Sequence, residues 1–339
     1  MRDYFIRRFL LIPPTLLGVT LIVFFITRLV PGGPIERALA EARQADMSSS
    51  VRPTAGSDTS LSEEQIEQLK KFYGFDKPWY EAYAVWMGKV VRGDLGDSHI
   101  YHQPVTTVIA SKFPVSIYFG LVTTILTYAI CLPLGIVKAL RHRTVMDNST
   151  SVLVFFGYAI PGYALGSLLL LVFAVKLRWL PLGGFVGDNF AELGLVAQAW
   201  DLFRHTVLPL CAYLVGSFAF TTMLVKNHLM DNLAADYVRT AVAKGVPFRA
   251  AVFKHALRNS LIPIATTFGH VISLVLTGSF LIEVVFDIDG MGLLSFKSLV
   301  DRDYPVVMGT LLLSSALLLI GNVLSDMLVA WLDPRIRFD

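Results

Sequence analysis

The sequence predicts an all-α integral membrane protein with six transmembrane helices and an extended first loop facing away from the termini. Three observations predict it. Of 339 residues, 54% are apolar and only 16% are charged, with a mean hydropathy of +0.59. An average soluble domain carries about 25% charged residues, and one of this size needs them to cover its surface. Six long apolar runs punctuate the chain, and Lys and Arg gather in alternate short loops between them. The net charge of +3, from 29 basic and 26 acidic residues, conceals that unevenness. A disordered chain, a coiled coil and an ordinary soluble enzyme are excluded. Cys131 and Cys211 lie in apolar runs, where cysteine behaves as a small apolar residue, and they rule out a disulfide framework or thiolate-rich metal site.

A hydrocarbon core of about 30 Å needs roughly 20 mostly apolar helical residues. The runs are Phe9 to Leu29, Val115 to Ala139, Ser151 to Val175, Val207 to Leu229, Leu261 to Phe286 and Val306 to Leu332. They are continuous and lack the alternation of barrel strands, so helices are expected. The first follows Arg2, Arg7 and Arg8 and precedes Ala38-Leu39-Ala40, as a cleavable signal would. Its apolar stretch exceeds the roughly 7–15 residues of such a signal, so a retained helix is expected.

Six crossings put both termini on one side. That side holds Arg2, Arg7, Arg8, Lys138, Arg141, Arg143, Lys226, Arg239, Lys244, Arg249, Lys254, Arg258, Arg335 and Arg337. The short loops opposite hold only Lys176, Arg178, Arg204, Lys297 and Arg302. The positive-inside rule makes the first side cytoplasmic. The expected divisions are 1–30 for the N-terminus and first helix, 31–112 for the outer loop, 113–332 for the membrane core and 333–339 for a cytoplasmic end.

Within the outer loop, 46–60 is rich in Ser, Thr, Pro and Gly and reads as mobile. Ser60-Leu61-Ser62-Glu63 has capping-box spacing and predicts a helix through Gln65, Leu69 and Phe72. A second amphipathic stretch, Trp79 to Val91, carries Trp79, Tyr80, Tyr83 and Trp86, rings suited to a membrane interface. This loop is either a covering domain without chemistry or a docking surface for a solute-carrying partner. Asp287, Asp289, Asp301 and Asp303 make an acidic outer rim, either simply solvated or attractive to a basic surface.

The longest cytoplasmic segment, 230–260, is alanine-rich and broken by Gly245-Val246-Pro247. A helix over about Asn232–Lys244, a turn, and a second helix over about Pro247–Asn259 are predicted. On a helical wheel, Phe248, Val252, Phe253, Ala256 and Leu257 share an arc opposite Lys254, His255 and Arg258, while Arg249 falls within the apolar arc. Such a stripe needs cover from headgroups, from the protein's own helix ends or from a soluble partner.

Tyr237 to Gly245, followed by His255-Ala256-Leu257-Arg258-Asn259, resembles the EAA loop of binding-protein-dependent ABC importer permeases. Ala241 and Gly245 keep that family's spacing; Arg239-Thr240 replaces its Glu-Ala and Leu257-Arg258 its Leu-Pro. These departures resemble the oligopeptide/dipeptide branch. So do Ile6-Arg7-Arg8, Pro31-Gly32-Gly33-Pro34, Gly74-Phe75-Asp76-Lys77-Pro78, Arg92 to Ser98, Gly290-Met291-Gly292-Leu293-Leu294, Arg302 to Val306 and Asp333-Pro334-Arg335. The insert at 46–60, with Tyr158-Ala159-Ile160-Pro161, is similar to the sub-branch known for longer peptides and the peptide-nucleotide antibiotic microcin C.

The resemblance implies a type I ABC importer permease fold in a bacterial inner membrane, with loop 31–112 in the periplasm. It implies that Arg239, Thr240, Ala241, Lys244, Gly245, Val246, Pro247, Phe248, Arg249, His255 and Arg258 form a coupling element in a groove of a cytoplasmic ATPase. The implied partners are a second, related permease, two ATPase subunits, a periplasmic peptide-binding protein, a peptide and the lipid bilayer, with no nucleic acid. ATP and Mg would be held by the ATPases, with no cofactor or metal in this chain. The sequence has no G-x-x-x-x-G-K-[ST] phosphate loop, since Gly88-Lys89 is followed by Val90 and lacks the earlier glycine. No catalytic set is expected. Pro133, Pro161 and Pro209 are candidates for helix bends that line a pathway or only serve packing, with Tyr158 beside the second. His270 is an intramembrane candidate whose blander role is an interhelical hydrogen bond. Competing readings are a permease for nickel or an opine, an ion-coupled secondary transporter, and a membrane enzyme or sensor. Sparse membrane acids weaken the ion-coupled reading, and the lack of a catalytic set or output domain weakens the last.

Overall fold

The computed structural model describes residues 2–29, 67, 76–276 and 278–332. The 46–60 insert, the capping box at Ser60, the helix expected through Leu69, the Pro31 to Pro34 segment and the Asp333-Pro334-Arg335 end lie outside the described residues, as does the side chain of His270.

Among the described residues the architecture is all-helical, with one isolated bridge between Asp97 and Pro104. Helix α1 (Arg2–Leu29) is followed by α2 (Trp79–Val90), α3 (Val105–Leu140), α4 (Val145–Ala159) and α5 (Gly162–Leu169). The last continues as a π-helical stretch, Leu170–Lys176. Then come α6 (Leu195–Ala234), α7 (Asp236–Ala243), α8 (Phe248–Ala251), a π-helical stretch Val252–Ala256, and α9 (Leu257–Ser260). The chain ends in α10 (Ile262–Leu276), α11 (Phe280–Val285), α12 (Met291–Val300) and α13 (Tyr304–Leu332).

Helices α1, α3, α6 and α13 are each long and apolar enough to cross a bilayer. The expected third crossing is instead a pair, α4 and the helix from Gly162, bent by 95°. The bend falls at Ile160-Pro161, where Ile160 has an extended backbone and Pro161 stands at the N-cap of α5. A residue before proline is pushed out of the helical region, which accounts for the break. The expected fifth run is also interrupted. Its α10 holds 15 residues, about 22 Å of helix, and the chain turns at Gly278 before α11.

The chain divides into two compact units. In the unit of Pro13–Ser111 and Ser295–Leu313, the predicted aromatic helix, now α2, lies against α1. The Tyr83 hydroxyl donates to the Leu17 carbonyl at 3.0 Å and meets Thr20 Oγ1 at 3.0 Å. Phe24 packs edge-on to Tyr83 and tilted to Trp86. Part of the aromatic belt is therefore spent on helix packing. Asp303 is buried in the same unit. It accepts from Ser98 Oγ at 2.5 Å, His99 N–H at 3.2 Å and Ile100 N–H at 3.3 Å. Ser98 Oγ in turn accepts from Tyr101 N–H at 2.9 Å. The Arg92 to Ser98 and Arg302 to Val306 segments are thus two halves of one clasp. Burial holds the His99 imidazole below its ordinary pKa, against the upward pull of Asp303 and Asp97.

The other unit comprises Met1–Ile12, Lys112–Leu294 and Ser314–Asp339. Its core joins Phe119, Leu208, Leu210, Ala212, Ile282, Phe286 and Ile288. Beside this core the Glu283 carboxylate, 2% exposed, accepts from Ser279 N–H at 3.2 Å, Gly292 N–H at 3.3 Å and Leu293 N–H at 2.7 Å. The start of α12 donates two of these bonds, as a helix N-terminus does to an anion. A Cβ on Gly278, Gly290 or Gly292 would collide with this carboxylate. The Gly290-Met291-Gly292 motif is glycine-rich because a buried acid occupies the space. Elsewhere in the unit the backbones of Gly269 and Gly321 touch, and Gly269 N–H donates to Ser325 Oγ at 2.7 Å.

Gly278→Ala combines that collision with a φ of +79°, so it should lower the melting temperature of the detergent-solubilised protein. Gly88→Ala, with open space around it inside α2, should leave the melting temperature unchanged or raise it. Asp303→Ala removes the acceptor of the Ser98 hydroxyl and of two N–H groups and should cost about 1–3 kcal/mol per donor left dry, read in the same melts; an unchanged melting temperature would mean that the clasp does not stabilise the fold.

Candidate functional site at the Gly245 loop

Helix α6 runs through Asn232, so the first part of the loop is shorter than predicted. Ala235, extended at ψ 147°, separates it from α7. The end of α7 is a complete Schellman cap. Gly245, at φ +88°, sends its N–H to Val242 O at 2.9 Å, and Val246 N–H reaches Ala241 O at 3.1 Å. The positive φ explains why glycine stands there. Pro247 then takes the N-cap position of α8.

The second part is not the regular helix assumed on the wheel. The π-helical stretch Val252–Ala256 inserts extra residues per turn and rotates the stripe. Ala251, Val252 and Ala256 turn inward, and Phe248 and Phe253 turn out, each 57% exposed. The predicted single apolar arc is therefore split. Its inner half packs with Ala139, Leu229 and Val238, flanked by Val246 and Leu257. Its outer half stands among exposed Arg249, Lys254, His255 and Arg258. Arg239, Thr240, Lys244, Gly245 and Pro247 are exposed on the first part, with Ala241 and Val246 partly buried behind them. The loop is thus a stapled plate with an aromatic and cationic outer face.

Hydrogen bonds fasten the plate to its base. Ser260 Oγ donates to His228 O at 3.2 Å, and Asn232 Nδ2 reaches the same carbonyl at 2.8 Å. Asn259 Nδ2 donates to the Tyr237 hydroxyl, which donates to Asn232 Oδ1 at 2.6 Å. Arg258 Nε donates to Leu332 O at 2.8 Å. The exposed Arg239–Asp236 pair, at 3.8 Å, adds little.

Behind the plate lies a charge cluster that is not evident from the sequence. Asp147 is 1% exposed, Lys138 0% and Lys226 6%. Lys226 Nζ donates to both carboxylate oxygens of Asp147, at 2.7 and 2.8 Å. Lys138 Nζ lies 3.0 Å from Oδ1 and donates at 2.8 Å to Asp147 O, Thr150 Oγ1 and Ser151 Oγ. Arg143 N–H adds a bond to Oδ2 at 3.1 Å. The two lysines were read only as orienting charges. The available signal was Thr144-x-x-Asp147, a capping spacing, and Thr144 Oγ1 does accept from Asp147 N–H at 3.4 Å.

The other candidates are scattered. Pro133 lies within α3 and Pro209 within α6, and both helices continue through them. Gly135 packed on Val225 holds α3 against α6 near the first of these. Pro161 does mark a sharp bend, with Tyr158 exposed on the preceding turn. His270 lies in α10. Among the described residues no group of three or more His, Cys, Asp or Glu side chains converges to hold a metal.

Residues 131–338 match the family described as binding-protein-dependent transport system inner membrane component. The chain is 38% identical to the peptidoglycan transport system permease protein YejB of Agrobacterium fabrum, covering 100% of this chain and 99% of that one. It is 37% identical to the inner membrane ABC transporter permease protein YejB of Escherichia coli O157:H7, covering all of both. It is 34% identical to the oligopeptide transport system permease protein AppB of Bacillus subtilis, again over the full length of both. Among solved structures, the inward-facing methionine ABC transporter MetNI is similar in fold, with a TM-score of 0.50 and 16% identity over 67% of this chain and 97% of that one. On its sequence, and with the fold agreeing, this chain belongs to the family of binding-protein-dependent transport system inner membrane components.

Proposed function

We propose that the chain is the membrane-spanning permease subunit of an ATP-driven importer of peptides delivered by a periplasmic binding protein. The observation that carries the reading is the two-faced plate at Gly245. Its back is fastened to α6, and its front offers Phe248 and Phe253 among cations to a soluble groove. Relatives named for oligopeptide and dipeptide transport, at 32–34% identity over nearly the whole chain, support peptides as cargo over nickel, an opine or ion-coupled uptake. A relative named for peptidoglycan transport puts peptidoglycan fragments in the substrate screen.

The chain is a multi-pass inner-membrane protein. Both termini and the Gly245 loop face the cytoplasm, and residues 31–112 face the periplasm. Helices α10 and α11 together make the fifth crossing, which brings the number to six. ATP and Mg are held by two partner ATPases, which supply the energy of the cycle. Closure of those subunits draws this loop and that of a second, related permease together. The movement passes along α6 and α10 and opens the pathway outward, where the binding protein releases its peptide. The reset exposes the cargo to the cytoplasm. The bend at Pro161 and the exposed Tyr158 are the pathway elements favoured here, followed by His270, Pro133 and Pro209.

The test uses the intact complex in proteoliposomes. Gly245→Val, forced into a left-handed turn, and charge reversal at Arg239 and Arg249 should each reduce copurification of the ATPase and lower peptide uptake about tenfold or more. Unchanged association and uptake in all three would remove the loop from the mechanism. Peptide should also raise ATP hydrolysis in the presence of the binding protein, whereas an uncoupler should leave uptake intact.

A further inference from the structure

We infer that Asp147, Lys138 and Lys226 form the rigid joint through which displacement of the Gly245 loop reaches α3 and α4, which makes them positioning residues for transport. The inference rests on the loop being the ATPase-docking element.

The joint adjoins the loop along two helices. Ala139 follows Lys138, and Leu229 lies about one turn beyond Lys226; both belong to the core that holds Val238, Ala251 and Ala256 of the loop. Movement of the plate therefore bears on α3 and α6 beside the two ammonium groups.

Helix α4 lies along α6, but few of its side chains are fully buried there. Its buried residues are Asp147 and Val154 alone, while Val152, Leu153, Phe155 and Phe156 are exposed. With so little side chain buried along that contact, a further anchor is needed to fix its rotation. The carboxylate provides it, gripped by Lys226 through both oxygens and by Lys138 through one. Lys138 also binds the Asp147 carbonyl and the Thr150 and Ser151 hydroxyls, so it holds the first turns of α4 at several points. With all three residues shielded from water, separation would strand buried charge, and the joint is held through the stroke. Helix α4 ends at the 95° bend before Pro161, so what moves its base moves the bend.

The experiment uses the complete complex, prepared with Lys138→Met, Asp147→Leu and Lys226→Met together. An all-apolar replacement avoids stranding one charge and favours a folded protein. ATPase copurification, basal ATP hydrolysis and peptide uptake are measured on each preparation. The assembled triple variant is expected to keep basal hydrolysis while uptake per ATP hydrolysed falls about tenfold, within the range by which coupling residues act. An assembled triple variant with wild-type uptake per ATP would overturn the inference, since a purely structural role changes the yield of complex and not this ratio.

A second measurement leaves the joint intact. Spin labels at Val145→Cys and Val242→Cys, both exposed, on a background lacking Cys131 and Cys211, report the distance between the start of α4 and the loop. The distance should be the same in the resting and ATP-trapped complex. A change of about 5 Å, one helical turn, would overturn the joint even if the triple variant failed to assemble. Failure of the docking reading appears separately, as unchanged copurification in the Gly245, Arg239 and Arg249 variants.

Discussion

A carboxylate held between two ammonium groups, all three buried, is the constraint on which the Gly245 half of the molecule depends. One buried acid and two buried lysines leave a surplus cation, which is unfavourable unless every proton finds an acceptor. The first two turns of α4 supply the acceptors for Lys138. Asp147 contributes its carbonyl as well as its carboxylate, and Thr150 and Ser151 add hydroxyls. The requirement fixes the rotation of α4, and α4 fixes the approach to the bend at Pro161. The other face of the same helix ends holds the loop, so one set of contacts orients both the plate and the bent helix pair.

A second buried acid organises the segment between α10 and α12. Glu283 differs from Asp147 in its partners. Among the described residues these are backbone N–H groups and the Tyr213 hydroxyl, with no cation. Backbone donors sit at fixed places, so the carboxylate dictates the path of the chain around it, and three glycines give it room. The acid and its glycines, all within fifteen residues of chain, are one feature.

Much of this was legible in the sequence, and the parts that were not share a cause. Long apolar runs such as Val115 to Ala139 and Val306 to Leu332 became single helices, because burial in lipid demands an internally satisfied backbone and helix is the simplest answer. The glycine stop at Gly245 and the amphipathic stretch from Trp79 were read correctly from local chemistry. Hydropathy could not separate a straight crossing from a bent one at Pro161, nor reveal the turn at Gly278, since both interruptions lie within apolar residues. The wheel drawn for the second half of the loop assumed 3.6 residues per turn, and the π-helical stretch broke that assumption between Phe248 and Phe253. Lys138 and Lys226 misled for another reason. A lysine near a helix end looks the same in sequence whether it snorkels to water or turns inward to an acid.

Helix α6 has 40 residues without a break. At 1.5 Å each it is about 60 Å long, roughly twice the hydrocarbon thickness of a bilayer. One end carries the plate, and the other lies far from it along the same rod. Such a rod acts as a pointer: pivoting about 10° at its foot sweeps its tip through about 10 Å. A tilt imposed at one end of such a rod reappears at the other as plain leverage, with no relay of small rearrangements between.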